Sequence, residues 1–150
     1  MKLGYYRVRD DVKEPIRATT GSICFDVFIH NRFKEVLRIR PHQTILVGTG
    51  LIFDIPTGYH IRLYERSSTC IKASFKLANS VGIIDSDYRE ELRIPLTNYT
   101  NSDIVVPYDE YTNRAFFQVG VFKNTKFELV EVKERPKRLL SRSGGFGSTS

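Results

Sequence analysis

The sequence predicts an all-β domain, a sandwich or distorted barrel, with at most one short helix and a flexible C-terminal tail. Three observations predict it. Short β-branched and aromatic runs recur along the chain, turn residues separate them, and apolar residues at helical spacing are hard to find. In order, the runs lie at 5–8, 24–29, 36–39, 44–47, 51–55, 60–64, 92–96, 103–106, 116–122 and 127–132. Several alternate with a period of two, as in Ile61-Arg62-Leu63-Tyr64-Glu65, the pattern of a strand with one buried face. Gly48-Thr49-Gly50, Pro56-Thr57-Gly58, the segment from Asn98 to Asn101 and Lys123-Asn124-Thr125 supply the turns. The single helical candidate spans about 68–75.

The chain has 150 residues, room for one domain, which we place at 1–140, and its 41% hydrophobic and 27% charged composition excludes a disordered polymer. No run reaches the roughly 18 apolar residues that a membrane helix requires, and the first eleven residues carry Arg7, Arg9, Asp10 and Asp11 with no apolar stretch of a secretory signal. Cys24 and Cys70 show no metal-ligand spacing, so a reduced, cytoplasmic protein without a membrane partner is expected. Lys and Arg number 23 against 17 Asp and Glu, a net charge of +6 that favours anionic partners. No aromatic-plus-basic repeat demands a nucleic acid, and Lys133-Glu134-Arg135-Pro136-Lys137-Arg138, broken by an acid and a proline, reads as a solvated linker.

Three internal segments have the residue types that chemistry needs. Arg66-Ser67-Ser68 follows a strand and precedes the helical candidate. Its guanidinium fork, hydroxyls and helix-start N–H groups suit phosphate oxygens, although either serine alone also reads as an N-cap. Gly82-Ile83-Ile84-Asp85-Ser86-Asp87-Tyr88-Arg89 ends an apolar strand in a carboxylate and presents a ring after a polar turn. The same residues would also make an ordinary solvated hairpin. Asp26 stands inside the apolar run Phe25-Asp26-Val27, either facing water or aimed at a metal hydration shell. The tail 141–150 combines glycines, hydroxyls, Arg142 and one ring, Phe146, which is what a phosphate-bearing aromatic ligand would need from a segment that orders on binding.

Taken in order, these pieces resemble the trimeric dUTPase family, whose subunits have a β-sandwich or jelly-roll-like fold; a viral or phage member would fit as well as a cellular one. The likeness runs from about Ala18 to the C-terminus. It rests on Thr49-Gly50-Leu51 through Pro56-Thr57-Gly58-Tyr59 to Arg66-Ser67-Ser68, on Gly82-Ile83-Ile84-Asp85-Ser86-Asp87-Tyr88, and on Gly144-Gly145-Phe146-Gly147-Ser148-Thr149. The resemblance implies hydrolysis of dUTP to dUMP and pyrophosphate with Mg²⁺, in a homotrimer. It puts Asp85 on the general base and Tyr88 on the ring against the deoxyribose. Asn79, Gly82 and Ile84 fall in the hairpin that reads uracil. Arg66, Ser67, Ser68 and Gln118 fall near the phosphates, and Asp26 meets Mg²⁺ through water. Phe146 and Gly147 cover the base, while Ser148, Thr149 and Arg142 approach the γ-phosphate from a tail that closes over the site.

Some positions depart from the family pattern. Glu90 stands where a glycine is usual, Arg114 lies four residues before Gln118 instead of three, and Arg142 is one place nearer Gly144 than the family's arginine. Two alternatives remain at this point: a dCTP deaminase of the same fold, and a non-catalytic nucleotide-binding or protein-interaction module. Arg93-Ile94-Pro95-Leu96-Thr97-Asn98 lacks the acid that the deaminase needs, and a binding module has no use for the base at Asp85.

Overall fold

The computed structural model describes residues 2–137. The expected tail residues Arg142, Phe146, Gly147, Ser148 and Thr149 lie outside the described residues. Among the described residues eleven strands and two short helices follow one another: β1 (Gly4–Arg7), β2 (Phe25–Val27), β3 (Leu37–Ile39), β4 (Thr44–Gly48), β5 (Leu51–Asp54), β6 (Tyr59–Glu65), α1 (Thr69–Lys72), β7 (Phe75–Leu77), β8 (Gly82–Ile84), β9 (Arg93–Asn98), β10 (Ile104–Val106), α2 (Tyr108–Asn113) and β11 (Phe117–Lys123). All pairings are antiparallel, in sheets ordered β2-β11-β6-β8, β4-β9-β7, β1-β5 and β10-β3. The sheets stay open, so the sandwich and not the closed barrel is the form adopted. Among the described residues no helix is long and apolar enough to cross a membrane.

Alternation decides which residues form the core. Ile61 and Leu63 of β6, Phe117 and Val119 of β11 and Val27 of β2 turn inward, while His60, Arg62, Tyr64, Gln118 and Asp26 occupy the other face. Ile94 and Leu96 of β9 and Phe75 and Leu77 of β7 meet them from the three-stranded sheet. Phe75 stacks on Phe117 at 6.5 Å and meets Phe116 edge-on at 5.1 Å, which joins the two layers.

Two expectations are corrected. A second helix, α2, forms where none was foreseen. Pro107 opens it by accepting the Glu110 and Tyr111 N–H groups, Asp109 and Glu110 suit the positive end of a first turn, and Tyr111 is buried with its hydroxyl donating to the Glu35 carbonyl. The run 127–132 is not a strand. Phe127 and Leu129 are 80% and 92% exposed, and no strand of the described chain lies beside them to accept their backbone hydrogen bonds. The helical candidate is realised over Thr69–Lys72 only, because Phe75 already belongs to β7.

Asn98, at the end of β9, is fully buried and uses its whole amide. Its Nδ2 donates to the Ile39 and Ser102 carbonyls at 3.0 and 2.8 Å, and Oδ1 accepts from the Thr100 N–H and hydroxyl, both at 2.8 Å. Asn98→Leu strands these partners, and we expect a loss of about 3 kcal/mol in unfolding free energy, measured by urea denaturation.

Candidate active site

Two groups of the expected residues come together, each in its own place. The first surrounds β8. Its pairing with β6, Gly82 opposite Leu63 and Ile84 opposite Ile61, fixes the hairpin on the edge of the large sheet, beside the middle of β6. Gly82 permits that approach, since a Cβ there would lie 3.2 Å from Leu63 Cβ and 3.7 Å from Asn79 Nδ2. Beyond the strand, Asp85 and Tyr88 line a cleft of about 550 Å³ together with Asn79, Gly82, Ile84 and Arg93. The Tyr88 N–H donates to the Asp85 carbonyl at 3.2 Å, and its hydroxyl donates to the Glu91 carbonyl at 3.0 Å, so the turn closes on itself. Asp85 stands exposed at the rim.

The second group lies at the other end of β6. Arg66 Nε pairs with Asp26 Oδ1 at 3.1 Å, and the same guanidinium donates to the Ala115 carbonyl at 3.0 Å. Gln118 stands directly between Asp26 and Tyr64 in the sheet, and its Nε2 donates to the Glu65 carbonyl at 3.0 Å. Burial pushes the Asp26 carboxyl above the usual range, and the Arg66 charge draws it partly back. Ser67 is exposed, and Ser68 takes the N-cap position of α1 without a side-chain capping bond, so both hydroxyls are left to other partners. Arg114 instead lies over the Phe116 ring, 5.0 Å from its centre.

The register sets the distance between the groups. Asp85 follows Ile84, which opposes Ile61, whereas Arg66 continues from the far end of β6, so about 20 Å of strand separates them. The resemblance assigns these residues to one kind of site; within one chain they form two separate groups.

Two side chains of the hairpin were not singled out in the sequence. Arg89 donates to the Phe53 and Ile55 carbonyls at 3.1 and 3.3 Å and meets Asp54 at 3.3 Å, and the Glu91 carboxylate reaches the Gly50 N–H. Neither contact leaves a periodic trace, since each joins residues more than thirty positions apart.

A family model described as dUTPase matches residues 10–150. The chain belongs to the dUTPase family. A deoxyuridine 5'-triphosphate nucleotidohydrolase of Hydrogenobaculum sp. (strain Y04AAS1) is 34% identical over 149 residues, covering 99% of this chain and 98% of the relative. The enzyme of the same description from Nautilia profundicola is 32% identical, with 99% of each chain covered. Among solved structures, the dUTPase of Staphylococcus bacteriophage 80alpha with dUpNHpp superposes with a TM-score of 0.78 at 18% identity, over 99% of this chain and 98% of that one. A variant dUTPase from phage phi11 of S. aureus, described with a structural Mg(II) ion, gives 0.76 at 17% identity over 91% and 100%. At such identity these two likenesses speak to the fold.

Arg66→Lys tests how the second group is held. A lysine cannot serve both the Asp26 carboxylate and the Ala115 carbonyl, and we expect a loss of about 1 kcal/mol in urea denaturation.

Proposed function

We propose that the chain hydrolyses dUTP to dUMP and pyrophosphate, as a homotrimer whose sites combine half-sites of different copies. The observation that carries this reading is Asp85 at the end of a hydrogen-bonded strand, on the rim of a cleft that also contains Asn79, Gly82, Ile84 and Tyr88. In this reading Asp85 accepts a proton from water as the water oxygen attacks the α-phosphorus. The bond from that phosphorus to the bridging oxygen breaks, and pyrophosphate leaves. A carboxylate is a weak base, so its placement supplies more than its basicity. Tyr88 packs against the deoxyribose, and the backbone around Gly82 with Asn79 reads the uracil edge, where an unpaired group facing the wrong base costs roughly 1–3 kcal/mol.

Arg66, Ser67, Ser68 and Gln118 serve the phosphates in this reading, but Arg66 stands about 20 Å along β6 from Asp85, beyond the reach of a nucleotide bound at the same chain's hairpin. A second copy brings the two together, which supports an assembly closed by symmetry. The exposed apolar residues Phe127, Leu129, Val130 and Val132 are suited to be covered by such a neighbour. Residues 141–150, with Arg142, Phe146, Gly147, Ser148 and Thr149, complete the site as a tail over the nucleotide, on the strength of the motif alone.

Asp26 fits Mg²⁺ as one carboxylate acting through water. Among the described residues no group of three His, Cys, Asp or Glu could hold a metal, and Mg²⁺ ordinarily takes one or two carboxylates together with substrate phosphates. Bound there, Mg²⁺ would offset phosphate charge. The free thiols Cys24 and Cys70 support a reducing compartment, the cytoplasm.

Incubation with dUTP, dCTP and UTP should release pyrophosphate from dUTP alone, whereas ammonia from dCTP would replace this reading with a deaminase. Asp85→Asn should lower turnover by about 10²–10⁴ and keep nucleotide binding. Co-refolding equal amounts of Asp85→Asn and Arg66→Gln chains, each inactive alone, should restore roughly a quarter of the parent rate, because mixed trimers rebuild some intact sites; no recovery would exclude a shared site.

The pH dependence follows from Asp26. Its folded carboxyl is raised, so it protonates at a higher pH than a free aspartate as the solution is acidified. The Mg²⁺ concentration needed for half-maximal rate should therefore begin to climb above the ordinary aspartate range, and Asp26→Asn should flatten that rise.

A further inference from the structure

We infer that Glu91 is a positioning residue that sets the sugar selectivity of the cleft by holding Tyr88, an inference that rests on reading the cleft as the dUTP site, with the Tyr88 ring against the deoxyribose leaving no room for a 2′-hydroxyl. Tyr88 is 41% exposed, so packing alone leaves its ring free to swing. What holds it is a bond from its hydroxyl to the Glu91 carbonyl, 3.0 Å long, and Glu91 is in turn locked into the turn between β4 and β5.

That turn is built to take a carboxylate. Glu91 Oε1 accepts the Gly50 N–H at 2.7 Å. A Cβ on Gly48 would run into this same oxygen, so the glycine leaves the space that the carboxylate fills. Gly50 itself has φ +70°, and a Cβ there would run into Val12. The next residue seals the joint: Leu92 donates to the Leu51 carbonyl at 2.8 Å and accepts from the Thr49 N–H and hydroxyl at 3.2 and 2.8 Å. Arg89, bonded to the Phe53 and Ile55 carbonyls, fixes the other side of Tyr88. The ring thus stands beside two anchors, and only the Glu91 anchor bonds to it directly.

The chemistry of the anchor predicts an order among conservative changes. Glutamine keeps the length and one carbonyl oxygen for the Gly50 N–H. Aspartate keeps the charge but is one methylene too short to reach. A charge effect would rank aspartate above glutamine; a positioning effect ranks glutamine above aspartate.

The test measures kcat and KM for dUTP and for UTP with the full-length protein, with far-UV circular dichroism and melting temperature recorded for each variant. The parent and Glu91→Gln should agree within about twofold in the dUTP/UTP ratio of kcat/KM. In Glu91→Asp and Gly48→Ala the ratio should fall about tenfold, mainly through a higher KM for dUTP. In a Glu91→Ala background, Gly48→Ala should cause no further fall, because both changes empty one contact. Tyr88→Phe, which removes the hydroxyl bond to the Glu91 carbonyl at an exposed position, should lower the ratio in the same direction. A dUTP/UTP ratio unchanged within twofold in folded Glu91→Asp, or in Tyr88→Phe if Glu91→Asp does not fold, overturns the inference while leaving the dUTP reading intact. A parent that does not prefer dUTP overturns both.

Discussion

Strand β6 is the constraint on which the rest of the molecule depends. It pairs with β11 along its whole length and with β8 at its middle, and both registers are fixed by the burial of Ile61 and Leu63. A slip by one residue would turn His60, Arg62 and Tyr64 into the core, so the register is strongly specified. Because β8 and β11 hang from the same strand, the position of Asp85 and the position of Gln118 are set by one hydrophobic pattern. The polar chemistry is held in place by apolar packing beneath it.

The cluster around Asp26 shows the electrostatic side of this arrangement. Taking a carboxylate partly out of water is costly, and the Arg66 guanidinium offsets that cost at 3.1 Å. The pairing also means that Arg66 does not present a bare charge, since part of its donor fork is committed to Asp26 and the Ala115 carbonyl. A fixed guanidinium loses less freedom on meeting an anion than a loose one, a gain in readiness at some cost in field strength.

Much of the fold was legible because strands with one wet face alternate, and β6, β9 and β11 fall where the alternation lies. The hairpin around Asp85 was legible as an apolar strand ending in acids and a ring. Four features were not. Helix α2 has only six residues, too few to declare a period, and its burial depends on Tyr111 reaching Asn31 and Glu35 far away in the chain. The run 127–132 carries the composition of a strand, yet a strand exists only where another backbone lies alongside, and composition is silent about neighbours. The socket for Glu91 was read as a plain turn, because glycine pairs look alike whether they serve bending alone or make room for a carboxylate. The separation of the Asp85 group from the Arg66 group was hidden for a related reason: order along the chain says nothing about distance along a sheet.

The roughly 20 Å between the ends of β6 has a consequence for how such a protein would behave in a cell. On the reading in which neighbouring copies share each centre, an isolated chain is dormant, and output depends on abundance more steeply than in simple proportion. Catalytic capacity would then be sensitive to dilution and to gene dosage, and a copy lacking one of the two groups would still lend the other to its neighbour.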